Sequence, residues 1–327
     1  MRINSKETLL EVKNLSIQFK SEEGLVLAVN KMNFSLEKGE KLGIVGESGS
    51  GKSVTSLAIM GLIPNPPGEI SSGEIIFEGL DLAKASDAKM RKLRGNDISM
   101  IFQEPMTSLN PILTCGYQIA ETLMIHKNMK KKAAKEVAIK LLESVGIPDP
   151  KTNAKSFPHQ LSGGMRQRVM ISMALACEPK ILIADEPTTA LDVTIQAQIL
   201  DLMNQLYNIH DTSIILITHD LGVVSEVCDK VIVMYTGHVV EQAYTEELFN
   251  HPCHPYTKGL IKSIPTITKE KHRLEEIKGM VPNPSEKKIG CSFCPRCDKA
   301  MNICKEQEPD LYELEENHFV RCWLYKG

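Results

Sequence analysis

"GESGSGKS", Gly46 to Ser53, is the stretch on which the reading of this chain turns. It matches G-x-x-x-x-G-K-[ST], the spacing of a phosphate-binding loop. The apolar run "LGIV" precedes it and the helical "VTSLAIMGL" follows. A strand before and a helix after are the context in which this motif carries chemistry. Gly46, Gly49 and Gly51 let the backbone turn tightly, so that it and the flanking Glu47, Ser48 and Ser50 aim N–H groups at phosphate oxygens. The helix N-terminus adds about half a positive charge. Lys52 is placed to reach the β- and γ-phosphates, and the Ser53 hydroxyl to coordinate Mg²⁺.

A second element supports the first. "ILIADEP" (181–187) is an apolar strand that ends in two acids. Asp185 at its tip can hold Mg²⁺, and Glu186 then lies where it can polarise a water that attacks the γ-phosphate. An acid pair at a strand exit is weak by itself. With the phosphate loop upstream it points to nucleotide hydrolysis.

Around these motifs the chain reads as α/β. "LLEVKNLSIQF" and "VLAVNKMNFSL" partly alternate apolar and polar residues across the turn "SEEG", and "SGEIIFEG" is a further strand. From about residue 110 to 176 the pattern is helical. "ILIAD" and "SIILITHD" are continuous apolar runs, suited to a parallel sheet covered on both faces. "KVIVMYTGHVVEQA" reads as a hairpin that turns at Thr236-Gly237. After "HPCHPY" prolines, charges and cysteines rise, which places a boundary near residue 250: a domain over 1–250 and an extension over 251–327.

Composition narrows the function. The chain has 327 residues, 42% hydrophobic and 24% charged, the range of a globular protein. A net charge of −3 offers no global basic field for nucleic acid. The basic run "KNMKKKAAKEVAIKLL" (127–142) reads as the solvated side of an amphipathic helix whose buried face holds Ala134, Val137, Leu141 and Leu142. No secretory signal pattern stands at the start, and no segment approaches the ~20 apolar residues of a spanning helix. Any membrane role therefore comes through a partner. Nine cysteines without such a signal point to metal, redox or buried thiols rather than disulfides.

"LSGGMRQR" (161–168) resembles the signature motif of ATP-binding cassette (ABC) ATPases. The family's other parts follow in order: "GESGSGKS", Gln103 in "IFQEP", the signature, "ILIADEP", "ALD" at 190–192, and His219 in "ITHD". The resemblance covers about residues 8 to 245. It implies the ABC form of the phosphate-loop NTPase fold: a mixed, largely parallel core sheet, an antiparallel β subdomain and a helical signature subdomain. The signature also makes physical sense. Ser162 sits where it caps a helix beginning at Gly163, and Gly163 and Gly164 expose N–H groups at its positive end, a second anion site.

The family solution is a head-to-tail dimer that sandwiches two ATP molecules, the signature of one subunit closing on the γ-phosphate held by the other. By the same resemblance Gln103 contacts Mg²⁺ and the lytic water. His219 hydrogen-bonds the γ-phosphate beside Glu186, and Asp192 connects the two sites. An aromatic before the phosphate loop stacks on adenine; Phe19 is the candidate, and it reads equally well as a core residue. The dimer partner is a second copy or a related ATPase.

Two stretches, "FQEPMTSLNP" (102–111) and "HPCHPYTKGLIKSIP" (251–265), resemble oligopeptide and dipeptide importers. That branch implies two transmembrane permease subunits, a solute-binding protein outside the cell, and a peripheral place on the cytoplasmic face of the membrane. Nickel importers share much of the pattern. A soluble cassette ATPase of DNA repair, translation or iron–sulfur assembly is the reading from a different class. The tail "GCSFCPRCDKAMNIC" (290–304) with Cys322 admits free thiols, zinc or an iron–sulfur cluster. The importer pattern selects Cys291, Cys297, Cys304 and Cys322 for a [4Fe–4S] cluster, and leaves Cys294 spare.

Overall fold

The computed structural model describes residues 7–22, 24–103, 108–187, 196–203, 211–264, 277–282 and 289–326. It divides into two compact units. One is built on Ala85–Ile215, the other on Glu7–Lys84 with Leu216–Gly327. Among the described residues the strands are, in chain order, β1 (Thr8–Ser21), β2 (Gly24–Glu37), β3 (Lys41–Val45), β4 (Gly68–Phe77), β5 (Leu80–Asp81) and β6 (Ile98–Ile101). They continue as β7 (Ile181–Asp185), β8 (Ser213–Thr218), β9 (Lys230–Tyr235), β10 (His238–Tyr244), β11 (Tyr312–Glu315) and β12 (His318–Val320).

In the Glu7–Lys84/Leu216–Gly327 unit, β1 lies between β2 and β4, antiparallel to both, and β5 extends β4. The alternation in β1 is only partial because the strand is bulged. Leu10 and Val12 are buried, Asn14 takes a positive φ of 47°, and Leu15 and Ile17 resume burial one residue out of phase. The register against β2 shifts at the same place, between Val12 and Leu15. The Asn33 side chain accepts the Asn14 N–H at 2.8 Å, which satisfies a donor that the bulge removes from the ladder. In the same unit β3 pairs parallel with β9, β9 with β10 antiparallel, and β12 joins β10 to β11. The β9–β10 hairpin turns at Thr236 and Gly237, both with positive φ, as a two-residue loop of matching twist requires.

The Ala85–Ile215 unit pairs β6 parallel with β7, and every residue of both strands is buried. Helices Cys115–His126, Lys131–Ser144 and Gly163–Leu175 supply its helical part. The basic run does form a solvated helix face: Lys131, Lys132, Lys135 and Lys140 are exposed. Its buried stripe is Ala134, Ala138 and Leu142, spaced i, i+4, i+8, while Val137 and Leu141 are half-buried flanks. Ala138 takes the central place because a small side chain on the stripe allows close helix approach.

Candidate functional site

The phosphate loop leaves β3 and enters the helix Lys52–Ile59. Leu42, Ile44 and Val45 are almost fully buried, so the strand end is rigid. Two glycines are forced by close backbone approach. A Cβ on Gly46 (φ 155°) would lie 2.2 Å from the Met234 carbonyl oxygen, and one on Gly51 (φ 100°) 2.4 Å from that of Ala28. Lys52 is 5% exposed, and its ammonium donates to the Gly46 and Glu47 carbonyls at 2.7 and 3.0 Å. Glu47 is half-buried, Ser48 and Gly49 are exposed, Ser50 is buried and Ser53 half-buried at the start of the helix.

His219 follows β8 and is exposed. Its neighbours fix the turn: Asp220 N–H donates to Thr218 Oγ1 at 3.0 Å, and Asp220 Oδ1 caps the helix Leu221–Val227 by accepting from Gly222 at 2.8 Å. Phe19 is half-buried in β1 opposite Gly68, whose missing Cβ leaves room for the Phe19 ring; an added Cβ would meet Phe19 Cε1 at 2.5 Å. One edge of the ring is thus packed against Gly68, and the residue as a whole stays half-buried.

The other unit carries the acids. Asp185 ends β7 and is 5% exposed. Glu186 has a positive φ of 44°, a strained conformation for a glutamate. Gln103 Nε2 donates to Glu186 Oε2 at 3.0 Å, so two residues expected separately are brought together. Ser162 caps the helix Gly163–Leu175 as its sequence suggests, accepting the Met165 N–H at 3.3 Å. Gly163 is exposed and Gly164 half-buried at that N-terminus. Gln167 was not foreseen. It is buried on the same helix, and its Nε2 donates to the Pro187 carbonyl at 2.5 Å, tying the signature helix to the turn that carries Glu186. Asp192 and residues 104–107 of the "FQEP" stretch lie outside the described residues.

The "HPY" stretch docks on a carboxylate that sequence reasoning passed over. Glu241 is fully buried in β10. Its Oε1 accepts the Cys253 N–H at 2.7 Å and bonds His318 Nε2 at 2.9 Å, and its Oε2 accepts the His254 N–H at 2.8 Å. The available signal was an acid inside an apolar hairpin. His254 Nδ1 accepts the Tyr256 N–H at 3.1 Å, Pro255 opens the helix Pro255–Lys262, and Tyr256 Oη accepts the Glu47 N–H at 2.9 Å. Each residue of "HPY" thus has a task, and the last one touches the phosphate loop.

Burial pushes His254 down from about 6.5 to about 4, the nearby Glu241 opposing and Arg321 and Lys258 assisting. A base whose folded value is depressed contributes stability that is complete above the unfolded value and lost as pH falls. We expect this unit to lose roughly 3 kcal/mol between pH ~6.5 and ~4 through His254. His318 acts in the opposite sense, because the Glu241 hydrogen bond raises it, so its protonation favours the fold in acid. Melting temperatures from pH 7.5 to 4.5 check this. His254→Asn, which keeps an acceptor for Tyr256, should flatten the acid decline; equal slopes in both proteins would exclude His254 as its source.

The cysteine-bearing tail folds back on itself. The Cys291 N–H donates to the Cys304 carbonyl at 2.8 Å, and Cys304 and Cys322 are buried. Burial first, then the field of Cys304, Cys322 and Cys297, raises the Cys291 thiol to about 12. Among these thiols Cys294 is influenced by Cys304 alone. Among the described residues, the group of three ligand atoms within 4.8 Å of one another is Glu241, Cys253 and His318, so no three tail thiols lie that close. Cys115, Cys177 and Cys228 are buried packing thiols.

The ABC transporter family model matches residues 29–189. The oligopeptide transport ATP-binding protein AppD of Bacillus subtilis (strain 168) is 56% identical over 98% of this chain and 97% of its own. This chain belongs to the ABC transporter family. The model for the oligopeptide/dipeptide transporter C-terminal region matches residues 240–304 of this ABC ATPase. The dipeptide transport ATP-binding protein DppD of the same bacterium is 51% identical, covering 97% of this chain and 95% of its own. The solved ATP-binding cassette MJ0796, a dimer in a post-hydrolysis state with ADP and phosphate, aligns with a TM-score of 0.66 at 28% identity, over 72% of this chain and 99% of that one. The fold is accordingly that of an ABC ATPase, and ATP with Mg²⁺ is what such a site uses. No helix among the described residues is long and apolar enough to cross a membrane.

Proposed function

We propose that this chain is the ATP-hydrolysing subunit of an importer of oligopeptides or dipeptides, working through two separate permease subunits at the cytoplasmic face of the membrane. One observation carries the reading: a match to the ABC transporter family stands in one chain with a C-terminal region of the oligopeptide/dipeptide transporter type. That region favours transport over a soluble ATPase. We read residues 1–250 as the cassette and 251–327 as its extension. A solute-binding protein outside the cell selects the cargo, and the dimer partner is a second copy or a related ATPase.

In this reading the loop Gly46–Ser53 binds the phosphates and Lys52 sits at the β- and γ-phosphates. Ser53, Asp185 and Gln103 offer the hard oxygen donors that suit Mg²⁺, which neutralises phosphate charge when bound. Glu186 polarises the water, with Gln103 aligned on its carboxylate and His219 on the γ-phosphate. Phe19 stacks on adenine. Ser162, Gly163 and Gly164 close on the γ-phosphate held by the partner, and Asp192 links the two sites. Cys291, Cys297, Cys304 and Cys322 are the residues that hold a [4Fe–4S] cluster. Four thiolates from closely spaced cysteines are the ligand set that such a cluster takes.

Purified with its permeases in vesicles, the chain should turn over ATP several-fold faster than alone, and faster again with a peptide-loaded binding protein. Vigorous turnover indifferent to the permeases would return the soluble reading. Anaerobic preparations of the same protein settle the tail: iron with acid-labile sulfide is expected, and zinc without iron would exclude the cluster.

A further inference from the structure

We propose that Arg296, in the cysteine-bearing tail, is a positioning residue for the phosphate loop, which it holds through Glu47. The inference rests on the ATP-site reading above. Arg296 lies in the short turn Cys294–Arg296, just before Cys297. Its guanidinium meets the Glu47 carboxylate as a fork, NH1 to Oε2 at 2.5 Å and NH2 to Oε1 at 3.0 Å, across 249 residues of sequence. The Arg296 side chain is 4% exposed and that of Glu47 30%. Every nitrogen of the guanidinium is used. Nε donates to the Lys278 carbonyl at 3.1 Å, NH2 also to that of Ile277 at 3.3 Å, and NH1 also to Tyr235 Oη at 3.4 Å. The group lies 5.8 Å from the centre of the Tyr235 ring.

Glu47 is the second residue of the loop, directly after Gly46, and its carbonyl accepts from Lys52. Its backbone N–H is taken by Tyr256, also from beyond residue 250. The tail therefore grips one loop residue by both side chain and backbone. The electrostatic consequence is specific. While Arg296 is paired with it, the Glu47 carboxylate is neutralised and held on the guanidinium. Released, it places a negative charge in a loop that must accept several more, and like charges at a few ångströms repel strongly in a half-buried site. A fork geometry that lysine cannot reproduce makes the residue type matter. The turn that carries Arg296 is bracketed by tail thiols, so whatever organises those thiols also sets the grip on the loop.

The test is ATP affinity of the full chain, by calorimetry, with turnover in the assembled transporter. Arg296→Gln should weaken ATP binding about tenfold or more, raising KM while kcat at saturating ATP stays within about threefold. Adding Glu47→Gln to that variant should recover at least half of the loss on a logarithmic scale, because the repelling carboxylate is gone. A purely structural clamp gives a different result: a lowered melting temperature, unchanged affinity in the folded fraction and no rescue by the second substitution. A folded Arg296→Gln that binds ATP as the wild type does overturns the proposal. Wild-type protein that binds no ATP would overturn the site reading instead, so the two failures are distinct.

Discussion

Glu186→Gln is expected to bind ATP within a few-fold of wild type and to lose roughly 10²–10⁴ of its turnover, the range a general base supplies. That is about 3–5 kcal/mol of barrier. The substitution keeps the size and shape of the side chain and removes its charge. Glu186 follows the buried Asp185, its φ of 44° is held by the fold, and Pro187 is anchored by Gln167. A glutamine keeps an oxygen that accepts from Gln103 Nε2, now at 3.0 Å from Oε2. What disappears is the basic carboxylate. If the signature of one subunit closes on the ATP of the other, the variant should also accumulate as an ATP-dependent dimer, seen by gel filtration. Phosphate release at a rate within a few-fold of wild type would remove Glu186 from the base role, whatever the oligomer does.

The parts of this molecule that were legible in its sequence are those whose physics is local. The strand–loop–helix at Gly46–Ser53 is specified by residues within one turn of one another, and so is the cap at Ser162. The Thr236-Gly237 turn is local as well, with Gly237 at ease at positive φ and the β-branched Thr236 strained there. The blurred alternation in β1 was visible but not its cause, since the bulge at Asn14 is stabilised by Asn33 on the adjacent strand. Contacts between distant positions were not legible at all. Gln103 and Glu186 meet across 83 residues. Glu241 reads as an acid in an apolar hairpin until Cys253, His254 and His318 are seen to converge on it. Arg296 reads as a charge among cysteines until Glu47 is seen to face it. At Glu241 and Arg296 a buried charged side chain marks the join, because burial is costly unless a partner is supplied, whereas the Gln103–Glu186 pair is solvent-exposed and gives no such sign. The tail thiols teach the converse: "CSFCPRC" groups Cys294 with its neighbours by eye, yet the fields felt by Cys291 come from Cys304, Cys322 and Cys297.

Lys52→Met should abolish ATP binding in practice, weakening it by more than about 100-fold. Lys52 is 5% exposed, so its ammonium is held within the loop rather than free in solvent. The Gly46 and Glu47 carbonyls that accept from it lie at 2.7 and 3.0 Å, with Ser50 Oγ at 3.5 Å. The loop is therefore shaped around the cation, and a phosphate that enters takes up donors already aimed. Hydrogen bonds to charged groups contribute about 1.5–3 kcal/mol each, so the loss of two exceeds a 100-fold change. Methionine fills the space of the lysine stem and keeps the helix start, which separates the lost charge from a collapsed loop. The removed anchor for two carbonyls should still lower the melting temperature by a few degrees. Nucleotide titration by calorimetry on protein shown folded by circular dichroism is the decisive measurement. Wild-type affinity in folded Lys52→Met would mean that the phosphates lie elsewhere, and the neutralised Glu47 carboxylate would then have no anion to be protected from.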